Sequence, residues 1–507
     1  MHETIQSLIS DLPLLSLMII TLPVGAGLIW LIPSVSAARW IALIAAMIDL
    51  CISLLILFGF DQSKQGFQFV EHSSWIPSLH IDYIMGVDGI SILFLPLTVL
   101  LFIGVILASW NSKRKMPRLY FSLLLLLEST TIGVYCSLDT ILFFMFWELT
   151  LLPLYFLIST WGIGPHRRYA AVKYTLFMLL GGIPLLFAFI LLAFHQAEIS
   201  GLAIPAGLSF DYVTLIKSPV SAELQVTIFL LLLAGFAVKA PVIPLHTWLP
   251  VVSMEGPAAV TALLTGLKLG SYGLIRFAVP LAPQAAQDFH WLLAGFGIVA
   301  VLYGAIAALA QTNLRRMLAF SSISHVGLVI LGIASFNIQG IQGALFQLIS
   351  FTMVAGGIFI IIGMLQQRTG STDIMNLGGI ANTMPLLASF FFIFGLAGMG
   401  VPLTSGFPGE LLIIISALKS HTGSGLAALL VMVLTAGYFL RIYRQAFLGP
   451  VNNAVIEQAI DLQKREILVA VVLTSVMFLL GIQPGLALDL MAESTQGWLL
   501  HLGLSVQ

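Results

Sequence analysis

The chain has 507 residues, of which 59% are hydrophobic and only 8% charged, with a formal net charge of −1 and a mean hydropathy of +1.05. A soluble globular chain carries about 25% charged residues, so this one has too few to cover a water-exposed surface. Soluble enzymes, disordered scaffolds and nucleic-acid binders, which need a basic field, are excluded, leaving a polytopic membrane protein. Two cysteines, Cys51 and Cys136, both in apolar runs, make neither a disulfide framework nor a cluster site and read as small buried hydrophobes.

In chain order, fourteen apolar runs are long enough for a ~30 Å hydrocarbon core. They fall near 14–33, 37–60, 88–110, 117–138, 139–162, 169–194, 223–247, 256–283, 290–311, 316–337, 339–365, 384–418, 424–448 and 466–490, here spans 1 to 14. The start, Met1-His2-Glu3-Thr4, has no basic n-region, so the first run is kept as a true span. Loops after odd-numbered spans carry fourteen bases: Arg39, Lys113, Arg114, Lys115, Arg118, Arg167, Arg168, Arg315, Arg316, Arg368, Arg441, Arg444, Lys464 and Arg465. The opposite side carries three, Lys64, Lys217 and Lys419, so both termini are expected to face away from the cytoplasm. The polar connections 61–87 and 195–222 are too small to form domains. Gly395-Leu-Ala-Gly398-Met-Gly400 follows no strand and reads as close helix packing, not a nucleotide loop.

Eight charged residues fall inside spans: Asp49, Glu128, Glu148, Lys173, Lys239, Lys268, Arg276 and Glu410. A charge at the bilayer centre costs about 2.5–3.5 kcal/mol on insertion scales, and such residues usually face the bundle interior and mark ion paths. Lys173 and Arg276 lie near helix ends, where snorkelling or a structural ion pair is an equal alternative. Asp49 is alone in its span and reads first as structural. For the set, a proton relay is the better account. Burial disfavours a charged amine and a nearby carboxylate restores it, so moving the carboxylate away expels the proton.

Prolines break two spans. Span 7 contains Lys239, Pro241, Pro244, His246, Trp248 and Pro250; span 12 contains Gly400, Pro402, Gly406, Pro408, Gly409 and Glu410. Unwound backbone at membrane depth is tolerated only where it is buried in protein or lines a cavity. Spans 4–8 and 9–13 each hold five helices, so a second, inverted copy of the first is expected. The fold class is thus an all-α polytopic membrane protein of about fourteen transmembrane helices. Residues 1–110 hold helices 1–3, 117–283 the first repeat, 290–448 the inverted repeat, and 466–507 helix 14 and a tail.

Several stretches resemble the antiporter-like membrane subunits of complex I. Trp147-Glu148 with Pro153 and Tyr155 is similar to their fifth helix, and Phe236–Pro250 to their broken seventh. Leu264–Phe277, with Lys268, Tyr272 and Arg276, resembles the eighth, Ser321–His325 the tenth, and Gly406–Glu410 the broken twelfth. The glutamate ending the span 12 motif, and the absence of further spans after span 14, resemble the subunit 4 type of an NAD(P)H–quinone oxidoreductase. The resemblance implies a proton channel. Glu148 would be the gating carboxylate paired with Lys239, Lys268 the link between half-channels, His325 a relay and Glu410 the terminal donor or acceptor. Lys173 matches a lysine of the sixth helix, and Glu128 a glutamate some relatives place in the fourth.

It also implies hetero-oligomeric assembly with other membrane-arm subunits in a lipid bilayer, with no nucleic acid. This chain is expected to bind no cofactor, the iron–sulfur clusters and quinone belonging to other subunits. The membrane would be a bacterial inner membrane or a cyanobacterial or chloroplast thylakoid. Two departures stand out. The family usually continues Asp-Ala-His after the Trp-Leu-Pro of span 7, where this chain has Val251-Val-Ser253. In span 11, Phe351 occupies a position that is histidine in many relatives. Both remove polar groups from the expected path and fit a divergent paralogue, such as the cyanobacterial CO2-uptake variant. A subunit of a multisubunit Mrp-type Na+/H+ antiporter is the alternative from another class, and a proton-inert spacer a third. Glu410, where some antiporter relatives have lysine, tilts against the second. Four retained buried charges argue against the third.

Overall fold

The computed structural model describes residues 12–110, 115–451 and 453–505. Lys113, Arg114 and the Met1–Thr4 start lie outside the described residues. Among the described residues, twelve helices are long and apolar enough to cross a bilayer: Leu14–Leu31, Val35–Gly59, Pro117–Cys136, Thr140–Trp161, Arg167–Ser200, Ala222–Lys239, Ala258–Ala278, His290–Leu309, Leu314–Ala334, Ile338–Thr369, Thr422–Ala446 and Lys464–Ile482. Two shorter apolar helices, Phe94–Ala108 and Pro385–Gly398, stand at the places of spans 3 and 12. Span 3 is short because Asp88 accepts from the backbone of Ile90 and Ser91, so its first residues form a capped turn. Span 12 is short because its second half, Gly406–Ser420, is a separate helix.

Burial sorts the helices. Spans 8, 10 and 11 are each 94% buried along their apolar window and span 4 is 83% buried, whereas span 2 is 33% and span 14 is 39%. The first four form the centre of the bundle and the others its outward-facing wall. That wall corrects one expectation: Cys136 is buried, but Cys51 is exposed, because span 2 packs on one side only. Side-chain caps set several starts. Asp139 accepts from the Ile141 and Leu142 amides at span 5, Asn313 from Arg315 at span 10, and Asn337 from Gly340 at span 11.

The connections are more structured than their polarity suggested. Strands β1 (Gln68–Ile76) and β2 (Ile81–Val87) form an antiparallel hairpin within 61–87. Its Glu71 takes the backbone N–H groups of Leu15 and Ser16, at the start of span 1. The tail is also folded. Span 14 ends at Ile482, and after Pro484 a separate helix, Gly485–His501, runs back over the bundle. Its Trp498 Nε1 donates to Ile275 O at 2.9 Å, and His501 Nε2 donates to Pro280 O at 2.8 Å.

Two loop or helix-end bases are structural. Arg315, counted with the loops, is 1% exposed: its guanidinium donates to Gly256 O, Thr261 Oγ1 and Gln366 Oε1, tying together spans 8, 10 and 11. Arg276 forms a bidentate pair with Asp88, with its Nε on the Tyr272 hydroxyl. The glycine run of span 12 does two jobs. A side chain at Gly395 would overlap the Phe439 ring, which is close packing as expected, while Gly400 turns the chain at φ +67°.

Candidate functional site

Span 7 stops at Lys239. Its helix Ala222–Lys239 ends where Pro241 and Pro244 withhold two backbone donors, and the chain resumes as Trp248–Glu255. Trp248 Nε1 donates to Val238 O at 2.9 Å, satisfying a carbonyl freed by the break. The terminal position suits a cation, since the helix dipole is negative there. Lys239 Nζ donates to Thr150 Oγ1 at 2.9 Å and Trp147 O at 3.2 Å, and stands 3.9 Å from the Trp147 ring centroid. Both partners flank Glu148 on span 5.

The expected Glu148–Lys239 pair is not closed in this conformation: no ion pair joins them within 4 Å. Glu148 Oε1 is buried without a hydrogen-bond partner, against span 6 at Gly182, where a Cβ would come within 2.2 Å of it. Gly182 therefore supplies the space in which the carboxylate sits when it is off the lysine.

Span 8 is interrupted too. Its helix runs Ala258–Gly266, breaks at Leu267 and Lys268, resumes as Leu269–Gly273 and widens into a π turn, Leu274–Ala278. Gly270 lets this break touch the other one: a Cβ there would lie 2.2 Å from Ala240 N and 2.7 Å from Lys239 C. A cavity of about 30 Å³ lies between them, lined by Lys239, Thr131, Thr150, Leu267 and Leu269. Three polar groups around a space of that size suit one or two waters.

Lys268 is 5% exposed and its Nζ donates to Ser322 Oγ on span 10. A second cavity, of about 40 Å³, runs from Ser322 past Ser321 to His325 and Tyr438. Phe351 sits beside it, 5.7 Å from Lys268 Nζ and 4.7 Å from the His325 ring, so its ring flanks the serines without filling their space. His325 Nδ1 donates to Ser321 O at 2.8 Å; its Nε2 is 3.1 Å from Gly398 O and 3.5 Å from Glu410 Oε1. Its Nδ1 also faces the Ser321 hydroxyl at 3.5 Å, so the ring joins Ser321 on one side to Gly398 O and Glu410 on the other. Gln347 Nε2 also donates to Glu410 Oε1, at 3.4 Å, and the bare Cα of Gly400 leaves room for Oε2.

Five of the seven candidate residues therefore fall in one series of neighbouring groups, with Lys268, His325 and Glu410 buried and Glu148 and Lys239 partly buried. Lys173 and Glu128 do not. Lys173 is half-buried 5.9 Å from the Phe177 ring, within Coulomb reach of His246. Glu128 is fully buried with both oxygens unpartnered, and Asp49 of span 2 lies within Coulomb reach of it. Residue types alone missed Thr150, Ser321, Ser322, Gln347 and Tyr438, because hydroxyls and amides in apolar helices are common. His246 was visible within the span 7 break: it is buried against Tyr303 with its Nδ1 unpartnered.

The family model for NADH:quinone oxidoreductase/Mrp antiporter transmembrane proteins matches residues 137–435, the stretch holding all five aligned residues. NADH-quinone oxidoreductase subunit M of Rhodobacter capsulatus is 36% identical over 462 residues, covering 90% of this chain and 89% of its own. NAD(P)H-quinone oxidoreductase chain 4 1 of Synechococcus elongatus is 38% identical over 480 residues, covering 92% and 88%. A chain of respiratory complex I from Thermus thermophilus with bound NADH superposes with a TM-score of 0.87 at 28% identity, over 96% of this chain and 100% of that one. One from the Mrp complex of Dietzia gives 0.82 at 22% identity, over 96% and 97%, a likeness of fold. The chain is an integral membrane protein that belongs to the NADH:quinone oxidoreductase/Mrp antiporter family, among the subunit M and chain 4 proteins.

Proposed function

We propose that this chain is a proton-translocating membrane-arm subunit of a complex I-type NAD(P)H or ferredoxin–quinone oxidoreductase, working in a hetero-oligomer whose redox centres lie on other subunits. The observation that carries the reading is the series Glu148–Lys239–Lys268–His325–Glu410, with one small cavity at Lys239 and Thr150 and a second running from Ser322, the partner of Lys268, to His325. In one cycle, closing Glu148 onto Lys239 holds a proton on the amine, and withdrawing it to the Gly182 space releases that proton through the first cavity to Lys268. Ser322, Ser321 and confined water carry it to His325, and Glu410 delivers it to the far side.

The positive-inside bias sets the direction of entry. A wider cavity of about 190 Å³ at the basic end, lined by Ser109, Trp161, Pro257, Gln366 and Gln367, gives water access toward span 8. The two breaks, at Lys239 on the end of a half-helix and near Glu410 at the start of one, support the inverted five-helix repeats of 117–283 and 290–448. Residues 1–110 and 466–507 then frame that pair.

The likeness to the Mrp complex chain supports the antiporter alternative by fold, whereas the relatives above 30% identity carry quinone oxidoreductase names. Purification of the assembled complex separates the two. Co-purifying iron–sulfur subunits and quinone reduction are expected; a cluster without redox centres overturns the reading. In that complex, Lys239→Ala or Glu148→Ala is expected to abolish or strongly reduce proton movement with assembly intact, and full-rate pumping by either variant contradicts the relay.

A further inference from the structure

Two arginines at the basic end of the molecule close no ion pair among the described residues, although Glu466 lies within Coulomb reach of one of them. Arg39 lies early in span 2, whose first turn holds no acidic residue, and Arg465 is the second residue of span 14. Bases near helix N-termini oppose the dipole, which favours an anion there. Arg465 Nε donates to Leu107 O at 3.1 Å and its guanidinium stands 5.6 Å from the Trp110 ring, with its terminal nitrogens unpaired among the described residues. Arg39 Nε is buried without an acceptor, and the two guanidinium groups lie within Coulomb reach of each other.

The nearest carboxylates are committed elsewhere. Glu466 holds Arg368 and the Gln463 amide, and Asp461 caps the helix that starts at Pro385. By sequence, residues 111–115 add three bases and no acid. Trp40 and Trp110 meet edge to face at 5.1 Å beside the pair, the amphipathic rings favoured at headgroup depth. Below them the outward faces of the same two spans are apolar, with Ile44, Ile48 and Leu468 exposed.

We propose that Arg39 and Arg465 form a binding site for the phosphate of a bilayer glycerophospholipid, with Trp40 and Trp110 at headgroup level and the acyl chains along spans 2 and 14. The paired guanidinium groups supply charge-assisted, bidentate recognition of phosphate oxygens, and the apolar faces select a lipid over a free anion.

The test is native mass spectrometry of the full-length chain, delipidated in detergent and titrated with phosphatidylglycerol, phosphatidylcholine or inorganic phosphate. Wild type is expected to retain phosphatidylglycerol in preference to phosphatidylcholine. R39Q, which removes no hydrogen bond, is expected to weaken phosphatidylglycerol binding about fivefold, and R39Q/R465Q about twenty-five-fold. Unchanged phosphatidylglycerol binding in R39Q overturns the proposal. So does displacement of the lipid by millimolar inorganic phosphate, the mark of a free-anion site. In the assembled complex, loss of a neighbouring subunit from R39Q at unchanged lipid content assigns the arginines to a protein partner and overturns it too.

Discussion

Glu148 makes no ion pair with Lys239 in this structure, and in the proposed relay that separation is the switch. The carboxylate occupies a recess that exists because position 182 has no side chain. Gly182→Val would fill the recess and force Glu148 out of it. Proton movement in the assembled complex is expected to fall by about 10–100-fold, the cost of misplacing a reacting group by about an ångström, while the amount of complex stays unchanged. Unaltered pumping would show that the recess is not used. The intramembrane charges themselves were legible in the sequence, because a lysine or glutamate in an apolar run is expensive and therefore conspicuous. Ser321, Ser322 and Tyr438 were not. A hydroxyl in a membrane helix usually satisfies its own backbone, and only packing shows that Ser322 receives Lys268. Phe351 is the converse case. In the sequence it is a lost polar group on the path, whereas in the structure its ring is one wall of a small, largely apolar cavity that Ser321, Ser322 and His325 also border.

At the level of elements, the working parts are interrupted helices held by rigid neighbours. Prolines announced the breaks in spans 7 and 12. The break at Lys268 carries no proline, and the nearest signals are Gly266, Gly270 and Gly273, whose purpose appears only when the backbone of Ala240 is found against Gly270. Beyond that break the π turn is anchored by Arg276 to Asp88, and by Trp498 to Ile275 O. Breaking a buried ion pair by removing one partner costs about 3–5 kcal/mol, because the other charge is left uncompensated. Asp88→Asn and Arg276→Met are each expected to lower the thermal stability and yield of assembled complex. The double variant, with neither charge buried, is expected to recover part of the loss. A double variant as unstable as the sum of the singles would show that the two side chains act separately. The hairpin and the Gly485–His501 helix were hidden for ordinary reasons. β1 is largely polar and its register with β2 is interrupted twice, and Pro484 lies inside an apolar run long enough to be read as one span.

For the molecule as a whole, the membrane class, the helix order and the polar series follow from how rarely this sequence places charge in oil and from where its prolines fall. What the sequence could not convey is how two broken spans approach through a glycine, and how the hydroxyls of Thr150 and Ser322 receive the two lysines. In the proposed relay protons cross between the two halves of the bundle at Lys268, whose amine is bonded to Ser322 near the centre of span 10. The most direct measurement is the ratio of protons moved to electrons transferred by the assembled complex in sealed proteoliposomes, for wild type and Lys268→Met. A lower ratio is expected for the variant, with the complex intact and quinone still reduced when the membrane is uncoupled. An unchanged ratio would contradict the relay.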